Sequence, residues 1–281
     1  MPGGVVEVVF AGRPARVSEQ ELLAWVEGAA RAVAAYYGAY PVESVTLTIH
    51  GGGPGKISSG RTLGIRGLAR ISITVGDGAT AEDLKTNWEL VHEMVHLAFP
   101  SMTGEAWIEE GIATYVEPLV RARAGLAPAD DIWKWLVWGL PIGQNALGRA
   151  GLDGARTWAA TYWGGALFCF DADVGIRRAT AGKKSLDDAL RGIVRAGGNV
   201  TQSWELERAL DVGDKAVGVP VLRELYARMR ASAPDEDLGA LFAKLGVHAT
   251  GGKDATDAVI SYDDAAPLAA IRRGITVGSA P

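Results

Sequence analysis

The chain has 281 residues, 48% hydrophobic and 22% charged, with a formal net charge of −5. That length admits one or two domains with a sizeable core, and the balance excludes a disordered tail or a collagen-like repeat. Lys and Arg total 28 against 33 Asp and Glu, and no domain carries the basic surplus of a nucleic-acid reader, so DNA and RNA are not expected partners.

No stretch of about 18 apolar residues encodes a transmembrane helix. Residues 1–5 lack the charged and apolar segments of a secretory leader. A secreted chain stripped of its leader would read the same way, so the location stays open between the cytoplasm and a secreted or periplasmic site. The single cysteine, Cys169, sits in the apolar run 166–170 and reads as a small buried hydrophobe. Oligomeric state has no legible signal.

In chain order, Val5 to Phe10 predicts a short strand. Ser18 and Glu21 form the pattern of a capping box, leading into a helix with Leu22, Val26, Ala30, Val33 and Tyr37 at helical spacing and Gly38 at its end. Val45 to His50 alternates as a strand, and 51–59 reads as a loop. A second alternating strand runs from Arg66 to Val75, with Ala69, Ile71, Ile73 and Val75 on its buried face. From Glu82 to Leu245 the pattern is nearly all helical, including pieces at 84–99, 105–124, 158–181, 185–196 and 221–231. After Gly251 short strand or loop character returns. These features predict an α+β unit with three parts. Residues 1–80 form a small mixed-sheet lobe, 81–250 a mainly helical lobe, and 251–281 a tail packed on the core.

The chemistry concentrates in His92-Glu93-Met94-Val95-His96. On a helix, positions i and i+4 lie one turn apart on one face, so both imidazoles can hold one ion and Glu93 can reach water beside it. Chance supplies this pattern about 0.003 times in a chain of this composition. Leu84, Trp88, Val91 and Val95 form an apolar stripe next to that face. A catalytic zinc takes three protein ligands and keeps one position for water. Candidates for the third are Glu105, Glu109, Glu110 and Glu117. Small Ala106 and Ala113 share a face with Glu110, which favours it while leaving Glu109 open.

The run from Glu105 to Tyr115, Glu-Ala-Trp-Ile-Glu-Glu-Gly-Ile-Ala-Thr-Tyr, resembles the Trp-x-x-Glu-Gly element of gluzincin (thermolysin-like) peptidases. Tyr162-Trp163-Gly164-Gly165-Ala166-Leu167 resembles their Tyr-x-x-Gly-Ala-Leu segment. The stretches 176–180, 182–188 and 237–247 are similar to the glycyl aminopeptidase branch. The resemblance covers roughly residues 65 to 250. It implies a gluzincin fold, one zinc ion per chain held by His92, His96 and Glu110, and Tyr162 in the active site. The implied partner is a peptide or protein substrate. The resemblance also casts the strand at 66–75 as a substrate-aligning edge, on which Arg66 or Arg70 would meet a substrate carboxylate. Solvated arginines are the commoner case.

Two departures stand out. Only 13 residues separate His96 from Glu110, fewer than in the large aminopeptidases related to the alanyl enzymes. Their element for holding a free amino terminus has no counterpart before His92. Endopeptidase and aminopeptidase action therefore both stay open. In the expected reaction Glu93 is the general base and the Tyr162 hydroxyl stabilises the oxyanion, the competing role for Tyr162 being aromatic packing with Trp158, Trp163 and Phe168. Glu89, Glu117, Asp171 and Asp173 are candidates to receive the second imidazole N–H. A non-catalytic peptide-binding module with the same fold is the principal alternative, and a zinc hydrolase of non-peptide amides is a third.

Other signals are weaker. Gly51 to Lys56 glances at a phosphate loop, but His50 stands where its first glycine belongs and Ile57 replaces the Ser or Thr. His50 and His248 lack metal spacing. Trp133, Trp135 and Trp138 are read as packing of a helix on the lobe rather than as pocket lining.

Overall fold

Alternation of buried and exposed side chains builds the sheet. In the computed structural model, which describes residues 3–65, 67–251 and 257–278, β1 (Val5–Ala11), β2 (Ser44–Gly51), β3 (Ile57–Ile65) and β4 (Leu68–Val75) form one sheet in the order β1-β2-β4-β3. β1 and β2 are parallel, as are β2 and β4, whereas β3 returns antiparallel to β4. Val45, Leu47 and Ile49 on β2 and Ala69, Ile71, Ile73 and Val75 on β4 point to the buried face.

Helix α1 (Glu19–Tyr37) crosses from β1 to β2, started by the Ser18–Glu21 capping box and stopped at Gly38 with φ of 87°. Its stripe from Leu22 to Tyr37 is buried against the rest of the core.

The sheet corrects two expectations. Residues 57–65, assigned in part to a loop and otherwise to nothing, are a strand. That strand is one edge of the sheet and β4 is internal, so β3, not 66–75, holds the edge position. Ile57–Ile65 hid because it is glycine- and serine-containing and half exposed, and its register breaks between Ser58 and Arg61, where Ser59 has φ of 59°.

The single helix expected over 84–99 is two: α2 (Ala81–Thr86) and α3 (Glu89–His96). Asn87 is extended and its Oδ1 accepts from the Leu90 N–H at 3.2 Å, a local bond that competes with helix continuation. Next come α4 (Ala106–Arg123), α5 (Asp130–Leu147), a π-helical turn at Ala159–Gly164, α6 (Gly165–Ala179), α7 (Leu186–Arg195), α8 (Leu206–Val217), α9 (Val221–Met229) and α10 (Leu238–Leu245). β5 (Val247–Thr250), just before the tail, pairs antiparallel with β6 (Val259–Tyr262) within it. The tail ends in a helix absent from the sequence expectation, α11 (Ala269–Val277).

Buried polar bonds join these parts. Asp187 on α7 accepts from Tyr36 of α1 at 2.7 Å and from Arg123 of α4 at 2.9 Å. Arg123 also donates to the Ile275 carbonyl at 2.6 Å, and Trp133 Nε1 donates to Thr276 at 3.0 Å. Among the described residues no helix is long and apolar enough to cross a membrane. Cys169 is buried.

Candidate metal centre and active site

His92, Glu93 and His96 ride on α3, whose other face buries Leu90, Val91, Met94 and Val95. The helix is amphipathic in an unusual sense, because His92 and Glu93 are buried too. Buried polar groups need partners, and α4 supplies one. Glu110 Oε2 lies 3.3 Å from His92 Nε2 and 3.5 Å from His96 Nε2. These three donors all fall within 4.8 Å of one another.

Glycine allows this meeting. A Cβ on Gly111 would lie 2.3 Å from the Gly165 carbonyl carbon, and one on Gly165 would lie 2.0 Å from the Trp107 carbonyl oxygen. Backbone therefore rests on backbone where α4 meets the start of α6. That contact brings Glu110, the residue before Gly111, and Tyr162, three before Gly165, to one place. Tyr162 lies in the π-helical turn, a deformation frequent at functional sites. Its ring stacks on His92 at 6.1 Å with an interplanar angle of 8°, and Trp158 stacks on it at 5.9 Å. Phe168 instead packs edge-on against Trp107.

The other carboxylates go elsewhere. Glu109 accepts from the Met102 N–H and so pins the short loop between α3 and α4. Glu105 accepts from Trp107 Nε1 at 2.7 Å, and Glu117 pairs with Arg121 at 3.2 Å. Asp173 accepts from Tyr115 and Arg177, each at 2.9 Å, away from the imidazoles. Among the described residues none of Glu89, Glu117, Asp171 and Asp173 hydrogen-bonds to either histidine ring. Glu89 Oε2 is buried without a partner.

Glu93 is held from the sheet. Thr62 Oγ1, on edge strand β3, stands 2.7 Å from Glu93 Oε2 and 2.8 Å from the Glu93 carbonyl oxygen. A Cβ on Gly60 would come within 2.8 Å of Glu93 Oε1 and Cγ, so any other residue there would push the Glu93 side chain from this position. The sequence reading missed Thr62 and Gly60. Their signal is the small-residue alternation Gly60, Thr62, Gly64, which fits a strand face lying close against another element. Gly60 to Gly64, Glu93, His96, Glu110 and Tyr162 line a cavity of about 470 Å³. Arg61 lines it as well, whereas exposed Arg70 does not. Arg66 lies outside the described residues.

The electrostatics follow from burial and these contacts. Burial holds the His92 imidazole below its ordinary pKa. Burial acts in the same sense on His96, but the hydrogen bond and charge of Glu110 outweigh it and lift that ring. For Glu110, burial opposes ionisation, yet the two imidazoles overcome it and hold the carboxyl well below the usual range. Tyr162 is pushed up by burial, then by the adjacent Glu110 carboxylate, so its hydroxyl keeps its proton. Two imidazole nitrogens and one carboxylate oxygen are the donor set of a catalytic zinc site with room for a further ligand, so these residues fit that ion.

Comparisons with known proteins agree with this fold. The chain is similar to an aminopeptidase N family protein from Idiomarina loihiensis, with a TM-score of 0.65 and 15% identity over 88% of this chain and 48% of that one. It is also similar to a variant of an M1 zinc metallopeptidase from Deinococcus radiodurans, with a TM-score of 0.51, 18% identity and coverages of 82% and 49%. Yeast LTA4 hydrolase matches with a TM-score of 0.50 and 13% identity over 80% of this chain and 38% of its own. The chain thus spans about half of these structures or less. No protein-family model matches the chain, and no curated protein matches it in sequence. What the likeness defines is the fold: a mixed α+β unit with a small mixed sheet and a mainly helical lobe, similar to the fold of these structures.

Proposed function

We propose that the chain is a zinc-dependent peptidase in which His92, His96 and Glu110 hold the metal and Glu93 is the general base. The observation that carries this reading is the convergence of the three donor atoms beside the cavity that Glu93, His96, Glu110 and Tyr162 line.

Zinc, when bound, supplies a Lewis acid that lowers the pKa of water to about 7 and polarises a carbonyl oxygen. The rest of the work falls to side chains of this chain. Thr62 holds Glu93 Oε2, fixing the carboxylate so that it accepts a proton from the attacking water and delivers it to the leaving amine nitrogen. The Tyr162 hydroxyl, kept protonated by its surroundings, donates a hydrogen bond to the developing oxyanion. β3 has one edge paired with β4 and, among the described residues, no strand on the other, and Gly60 to Gly64 line the cavity. Its free N–H and C=O groups suit an extended peptide added as a further strand.

The test compares wild type with Glu93→Gln in zinc content and in digestion of a peptide library. Both proteins should carry one zinc, and the variant should lose about 10²–10⁴-fold in kcat/KM. Equal zinc with no digestion by either protein would overturn the peptidase reading in favour of a binding module, and equal digestion by both would overturn the role of Glu93.

A further inference from the structure

A second cavity, of about 260 Å³, adjoins the one just described at Tyr162. Tyr162 lines both cavities, and His92 lines the second. Trp88, Trp135, Trp138, Trp158 and Trp163 make up half of the residues lining it. Trp135 and Trp138, expected to pack a helix on the lobe, reach this cavity, while Trp133 alone of the three is fully buried in the core.

Three of these rings form a fixed floor. Trp163 stacks on Trp135 at 6.0 Å and meets Trp138 edge-on at 5.5 Å. A Cβ at Gly139 would fall 2.1 Å from the Trp163 ring, so α5 is cut away to seat it. The other two rings stand open to solvent, Trp158 with 59% and Trp88 with 44% exposure. Trp88 lies edge-on to His92 at 5.4 Å and Trp158 lies over Tyr162. Two exposed tryptophans on the rim of an apolar cavity beside reactive groups are the signature of a ligand groove.

On the peptidase reading above, we infer that this cavity is the substrate side-chain pocket and that it takes a bulky aromatic side chain flanking the scissile bond. The wall offers ring edges and faces in both orientations, which suits edge-to-face and offset packing of another ring. A cationic side chain fits less well. Among the described lining residues the one carboxylate is Glu117, and Arg121 already pairs with it at 3.2 Å. Burial also pushes the Glu117 carboxyl up to about 7. An arginine or lysine would give up its hydration there for cation–π contacts alone.

The experiment measures kcat/KM for matched peptides carrying Phe, Ala or Lys on either side of the cleaved bond, in wild type and in Trp158→Ala. Alongside, acetyl-phenylalanine amide and acetyl-alanine amide are titrated into Glu93→Gln with tryptophan fluorescence as the readout. Phe should exceed Ala by about 100-fold or more on one side of the bond, and the ratio should shrink by about 10-fold in Trp158→Ala. Only the phenylalanine amide should shift the fluorescence. Cleavage without aromatic preference, or a preference for Lys, overturns the pocket assignment and leaves the peptidase reading intact. Binding of the phenylalanine amide with no peptide cleaved upholds the pocket and overturns the peptidase. Trp158 is largely exposed, so its replacement leaves the core untouched; circular dichroism of the variant checks this.

Discussion

Gly111 and Gly165 touch backbone to backbone: a single methyl on the first would sit 2.3 Å from the carbonyl carbon of the second. Glu110 and Tyr162 owe their shared position to this contact. Gly111→Ala should therefore lower stability by about 1–3 kcal/mol through overpacking, measured as a drop in the urea midpoint. Because α4 must shift to admit the methyl, the variant should also bind zinc more weakly. Undiminished stability would mean that the two helices have room to spare.

Thr62 bridges the sheet edge and the proposed base. Thr62→Val keeps the shape of the side chain and removes its bond to Glu93. Zinc content should stay at one per chain, while kcat falls by about 10-fold or more as the carboxylate loses its orientation. The expected signature is a loss in kcat with little change in KM. A loss confined to KM would make Thr62 a substrate contact instead.

How far these features could be read beforehand differs by element. His92, Glu93 and His96 were legible because a helix converts spacing directly into a shared face. Glu110 needed the pattern of its neighbours, since spacing alone leaves Glu109 open and only the structure shows Glu109 tied to Met102. Ile57–Ile65 was invisible because its bulge at Ser59–Gly60 breaks the period of two on which strand reading depends. Helix α11 is short and lies against Trp133 and Arg123, residues more than 130 positions earlier in the chain, and local periodicity carries no such information. The tryptophan pocket was hidden for the same reason: it arises where α5 meets the π-helical turn through Gly139 and Trp163.

Glu117 should leave a mark on the pH dependence of stability. Its folded carboxyl is raised from 4.5 to about 7 by burial. Between those values the folded chain holds a proton that the unfolded chain has released, so stability falls as pH rises from about 4.5 to 7. Each unit is worth about 1.4 kcal/mol, giving an order-of-magnitude total near 3 kcal/mol. Glu117→Gln should remove that share, so the difference between wild type and variant changes across this window and is flat above it. A difference constant with pH would show that Glu117 ionises normally in the fold.

Asp187 ties α1, α4 and α7 together with its side chain fully buried. Asp187→Ala leaves Arg123 and Tyr36 without their shared acceptor and should cost about 3–5 kcal/mol in denaturant unfolding. A loss under about 1 kcal/mol would show that the carbonyls of Ile275 and Thr276 suffice for Arg123.

On the proposed reading, one zinc ion is gripped by two imidazoles from α3 and a carboxylate from α4. Anomalous diffraction at the zinc edge from crystals of the zinc-loaded protein tests it directly. One peak per chain is predicted, about 2.0–2.2 Å from Nε2 of His92, Nε2 of His96 and an oxygen of Glu110. A zinc bound elsewhere, or one held by the histidines with Glu110 turned away and no carboxylate in its place, would contradict it.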